Sequence, residues 1–134
     1  MIEKAFMEYL MSIPDLYTMV GGKIYYRQAP STVQYPWVVI TNSGGMRKKE
    51  TQVDFYSSAT DTLTLYVDDN DLFRGKQIAD RIVQAVENFR GIFQGYPDTW
   101  IRCGTVRDLT GWQGSFRQLL TIYIQYRIDT NVPS

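Results

Sequence analysis

The chain has 134 residues, enough for one domain with its own core. Apolar residues make up 44% of it, which excludes general disorder, and Lys+Arg and Asp+Glu both number 14, so no basic excess marks a dedicated nucleic-acid binder. One cysteine excludes an internal disulfide, and the lack of histidine removes the commonest general base and metal ligand.

Ile2, Ala5, Phe6, Tyr9 and Leu10 recur at helical spacing and form one apolar stripe. This N-terminal stretch is amphipathic and lacks a signal-peptide core, and no apolar run reaches the roughly 18 residues that a membrane span needs. Pro14 interrupts the helix and opens a short helical turn through Leu16, Tyr17 and Val20, which Gly21-Gly22 stops. Residues 23–29 read as a strand, Pro30 to Pro36 as a loop, and Trp37 to Thr41 as a β-branched strand.

Then comes NSGGMRKKETQVDFYSS, residues 42–58, far longer than the two to about five residues a hairpin needs. Beyond it Leu63, Leu65 and Val67 alternate with Thr62, Thr64 and Tyr66, so the register is well specified. Asp68 to Asp71 end that strand and cap the next helix, whose apolar side carries Leu72, Ile78, Ala79, Ile82, Val83, Val86 and Phe89. Lys76 and Asp80 are spaced as an i,i+4 pair, Arg90 falls in the last turn, and Gly91 stops the helix. Residues 99–107 read as a strand and 108–114 as a turn. In the final strand Phe116, Gln118, Leu120, Ile122, Ile124, Tyr126 and Ile128 share one face. The expected fold is α+β: a single domain over 1–134, an antiparallel sheet of four to five strands, and two helices on one face. Residues 42–58 are expected to form a flexible arm and 130–134 a loose tail.

The chemistry-bearing patterns are weak. SGGMRKKE lacks the spacing of a phosphate loop, and strand rather than helix follows it. Asp68 to Asp71 lack the sixth-position glycine of a calcium loop. Cys103 has no histidine partner and fits a small core residue. No cofactor, metal site or enzymatic activity is expected. Arg47, Lys48 and Lys49 leave open a basic-loop DNA-binding module. The aromatics Tyr25, Tyr26, Tyr35, Trp37, Trp100, Trp112 and Tyr123, with Leu119 between Arg117 and Arg127 on the second face of the last strand, suit a protein-contact surface.

The order of motifs adds a resemblance. Val20, Gly22, Ile24 and Tyr25, then Ala29-Pro30, then Tyr35-Pro36-Trp37-Val38-Val39 are similar to the opening of siphophage tail-completion proteins, the tail terminators and tail-to-head joining proteins. TLTLYVDD followed by GKQIADRIVQAVENF resembles the strand and second helix of that family, so the likeness covers nearly the whole chain. It implies a structural virion protein assembled in the host cytoplasm, monomeric in solution and ring-forming, commonly six-fold, on the head-proximal end of a tail. The implied partners are further copies of the chain, the tail tube protein and the head connector or stopper. The resemblance further implies that DNA passes through the lumen without specific recognition and that no membrane is involved. The 42–58 segment matches no family motif. A ring needs two unlike surfaces on each subunit. Gly44, Gly45, Arg47, Lys48, Lys49, Phe55 and Tyr56 of the arm, with Pro30 and Tyr35 of the loop, are the candidates for one of them.

Overall fold

The computed structural model describes residues 1–49, 57–110 and 114–128. Three helices and six strands follow in chain order: α1 (Ile2–Met11), α2 (Pro14–Val20), β1 (Ile24–Tyr26), β2 (Trp37–Lys49), β3 (Ser57–Asp69), α3 (Leu72–Val86), β4 (Arg90–Phe93), β5 (Tyr96–Thr110) and β6 (Phe116–Ile128). The strands form one sheet in the order β1-β2-β3-β6-β5-β4.

The helices cover one face of that sheet. Phe6 and Leu10 of α1, Leu16 and Val20 of α2, and Ile78, Ile82 and Val86 of α3 join one core. From below they meet Val38 and Ile40 of β2, Leu63, Leu65 and Val67 of β3, Ile101 of β5, and Leu120, Ile122 and Ile124 of β6. The alternation read along β3 and β6 therefore has its apolar side under the helices, where each large aliphatic side chain contributes about 1.5–3 kcal/mol. Phe6, Tyr9, Phe89 and Phe93 close the core with tilted and edge-on ring contacts.

Local signals account for the helix ends. Pro14 stands at the first turn of α2, and Gly21 ends it with a left-handed φ of 63°. Asp71 caps α3 by accepting from the Phe73 and Arg74 amides at 3.0 and 3.2 Å.

Four expectations need correction. The sheet has six strands, not four to five, and three helices pack on it, because 14–20 form a helix of seven residues. The helical period runs on to Phe89 and Arg90, yet α3 stops at Val86. Glu87 is extended and Asn88 takes a φ of 59°, which turns the chain into the additional strand β4. The sheet is not wholly antiparallel: β1 runs parallel to β2, since the 27–36 connection carries the chain back instead of reversing it in a hairpin. Lys76 reaches Asp108 at 3.3 Å, across to β5, where the i,i+4 spacing suggests Asp80.

Where the 42–58 segment is described, at 42–49 and 57–58, it is strand and not a separate arm, and 50–56 lie outside the described residues. Residues 42–49 extend β2 and pair with β3, and 57–61 of β3 pair in turn with 124–128 of β6. A bulge interrupts β2 between Asn42 and Gly45.

Candidate interaction surface

The face of the sheet away from the helices carries no covering element among the described residues. It is built by every second residue of the long strands: Trp37, Val39 and Thr41 on β2, Thr62, Thr64 and Tyr66 on β3, and 117 to 127 in odd steps on β6. Trp100, Arg102, Arg107 and Leu109 of β5 stand on the same side, since they pair with Gln125, Tyr123, Leu119 and Arg117.

Arginine and aromatic rings alternate here. The Arg90 and Arg102 guanidinium carbons lie 4.4 and 4.8 Å from the centroid of the Trp100 ring. Arg102 also lies 5.7 Å from the centroid of Tyr123, and Arg117 lies 4.5 Å from that of Tyr66. Such contacts hold the guanidinium plane against a ring while its N–H edge stays open to other partners. Gly104 makes room for Tyr123, because a Cβ there would come within 2.6 Å of the ring.

Asp68 organises one end of this face. Its carboxylate is nearly buried and accepts from Trp37 Nε1 at 2.9 Å and from Arg117 Nε and Nη2 at 2.6 and 3.0 Å. The bidentate contact raises the Arg117 pKa, against the lowering effect of burial. Trp37 also stacks on Tyr35, with centroids 4.3 Å apart. Arg27, Trp37, Val39, Tyr66, Asp68 and Arg117 line a cleft of about 280 Å³.

The described residues of the expected interface lie strung along the β2 side of the sheet rather than gathered. Tyr35 sits beside the start of β2, and Pro30 lies in the loop before it, where Lys23 donates to the Gln34 carbonyl at 2.6 Å. Gly44 stands in the β2 bulge, and Gly45 closes it by pairing with Asp61. Gly44 has a φ of 109°, and its amide donates to Asn42 Oδ1 at 2.8 Å. A Cβ at Gly45 would collide with the Thr60 carbonyl and the Asp61 carboxylate. Asn42 is tied to Glu3 of α1 by a 2.7 Å hydrogen bond, so the bulge is anchored to the N-terminal helix. Arg47, Lys48 and Lys49 belong to β2 by backbone, but their side chains lie outside the described residues, as do Phe55, Tyr56, Trp112 and the tail.

Sequence reasoning found Trp37, Trp100, Tyr123, Arg117 and Arg127 of this face but missed Arg90 and Arg102. The period-two spacing of Trp100 and Arg102 was the available signal for the second. Arg90 was hidden by the helical period running into it.

Asp68, Asp69 and Asp71 are each engaged: Asp69 is fully buried against the Arg74 guanidinium, with contacts of 2.7 and 2.6 Å. Among the described residues no group of three His, Cys, Asp or Glu side chains could hold a metal ion. Cys103 is half-buried against the core, and its thiol pKa is pushed up to about 12, first by burial and then by the Glu87 carboxylate. It is therefore a protonated packing group at neutral pH. No helix among the described residues is long and apolar enough to cross a membrane.

No protein-family model matches the sequence, and no curated protein matches it. Among solved structures, a chain of the virion of a native gene transfer agent particle superposes with a TM-score of 0.72. The match is 11% identical and covers 92% of this chain and 91% of that one. The two chains share one fold over nearly their full lengths.

Proposed function

We propose that this protein is a structural virion-assembly component that forms a ring at the head-proximal end of a long non-contractile tail and joins the tail to the head connector. The observation that carries the reading is the end-to-end likeness to a gene transfer agent virion chain, at matched length on both sides. The sequence resemblance to tail-completion proteins supports it independently, because it rests on motifs and not on shape. The pairing pattern adds further support. β1 covers only 38–40 of the long strand β2, and β4 pairs with β5 only between 96 and 100. Among the described residues each subunit thus offers two unlike, partly uncovered sheet edges, as a head-to-tail ring requires. On this reading Gly44, Gly45, Arg47, Lys48, Lys49, Phe55, Tyr56, Pro30 and Tyr35 serve the β2-side contact to a neighbouring subunit.

Electron microscopy of phage lacking this protein tests the proposal. Separate filled heads and finished tails are the expected result, overlong tails would shift the role to termination, and normal virions would defeat both. Serine at positions 47, 48 and 49 together is expected to lower virion yield without unfolding the chain.

A further inference from the structure

The uncovered sheet face has a charge that the whole chain lacks. Positive and negative residues balance at 14 each overall. Yet Arg27, Arg90, Arg102, Arg107, Arg117 and Arg127 all stand on or beside this face. Among the described residues Asp68 holds Arg117, and Asp98 lies 2.8 Å from Arg127. Arg90, Arg102 and Arg107 are exposed and have no carboxylate partner among the described residues. Among the described residues other acids lie elsewhere: Glu3 and Glu8 on α1, Asp15 on α2, and Asp80 and Glu87 on and after α3.

We propose that this face docks the sugar–phosphate backbone of duplex DNA without reading sequence. Three observations favour DNA over an acidic protein. The arginines extend across the face: Arg90 and Arg102 meet at Trp100, Arg107 stands further along β5, and the carboxylate-held Arg117 and Arg127 stand ten residues apart on β6, about 33 Å at the strand rise and close to one turn of duplex. The strip between them mixes Leu119 and Tyr123 with polar side chains, Thr41, Thr64 and Thr121 in register on β2, β3 and β6, and Thr62 and Gln125 beside them. Hydroxyls, amides and guanidinium groups are the usual phosphate contacts. Arg90 and Arg102 are already stacked on Trp100, so their open N–H edges lose little freedom on meeting a phosphate.

The inference rests on the virion reading for its setting, a subunit through whose ring DNA passes. Its test in solution is separate, so duplex affinity and the deletion phenotype can fail independently. The full chain is titrated against a fluorescent duplex of about 30 base pairs, with anisotropy read from about 50 to 200 mM salt. With about four phosphates neutralised, log K falls against log salt with a slope near −3.6, roughly a hundredfold loss over that range. R90Q/R102Q/R107Q should flatten the slope to about −1. R107Q alone touches no partner that holds the fold, and should flatten it by about 0.9. No duplex binding at the lowest salt would overturn the proposal. So would binding unchanged in R107Q and in the triple variant, or equal affinity for poly-glutamate, which would make the face an acidic-protein site. Loss of binding only when Arg47, Lys48 and Lys49 become serine would move the site to the arm and overturn it as well.

Discussion

Asp68→Ala should weaken the fold while strengthening attraction to a polyanion. The carboxylate is 5% exposed and the Arg117 side chain 40% exposed, so the pair is buried on one side only. Removing Asp68 costs the Trp37 Nε1 bond and two charge-assisted bonds to Arg117. Hydrogen bonds to charged groups contribute about 1.5–3 kcal/mol each, but Arg117 can turn to water and recover much of its part. The expected loss is about 2 kcal/mol, several degrees in Tm for a chain of this length. Arg117→Ala leaves a nearly buried carboxylate with only Trp37 as donor, and should cost about the same. Urea unfolding of both single variants and the double variant closes a cycle, with an expected coupling of about 1–2 kcal/mol. The freed Arg117 should at the same time steepen the salt dependence of duplex binding by up to about 0.9. A coupling within about 0.3 kcal/mol of zero would refute the view that Asp68 organises this end of the sheet.

Gly45→Ala must displace the Thr60 carbonyl or the Asp61 carboxylate, so a loss of about 1–3 kcal/mol is expected by urea unfolding. Gly44→Ala meets open space and carries only the strain of its φ, so it should cost less. Asp71→Ala leaves the Phe73 and Arg74 amides uncapped and should cost about 1 kcal/mol, visible as lower helix content on heating. Cys103 should react with a thiol reagent at pH 8 much more slowly than an unfolded control. Its folded pKa is raised above the ordinary value near 9, so its contribution to stability is complete below about pH 9 and lost as pH rises toward about 12. An alkylation rate equal to the control would contradict the burial that causes the shift.

The parts of the fold that one strong period governs were legible in the sequence. β3, β6 and the body of α3 follow from alternation or from a 3.6-residue stripe, because each has one face buried by the same core. The ends were not legible. Phe89 belongs to the core cluster from a strand-side position, so its apolar character fitted the helical stripe equally well. β1 is only three residues long, and its parallel pairing depends on where 27–36 carries the chain, which local propensity does not encode. The candidate surface was half legible for a similar reason. Trp100, Tyr123, Arg117 and Arg127 stand out by type and spacing. The stacking of Arg90 on Trp100 joins two strands whose register only the folded sheet defines.

The edges and the uncovered face make the two proposals compatible. A ring closed through faces would bury the arginines of the sheet against a neighbour and leave no polyanion surface. A ring closed through edges leaves that face free, because backbone pairing or side-by-side packing lies in the plane of the sheet. Both uncovered edges carry a bulge, at 43–44 on β2 and at 104–105 on β5. Bulges bend and twist a strand, which works against indefinite flat pairing while still permitting contact at a set angle. A fixed angle between successive copies is what separates a closed ring from an open filament. Substituting Gly45, which flanks the bulge, should therefore affect assembly more than its cost in subunit stability predicts, whereas R107Q should leave assembly intact. The amount of each variant retained on purified tails would show which of the two surfaces holds subunits together.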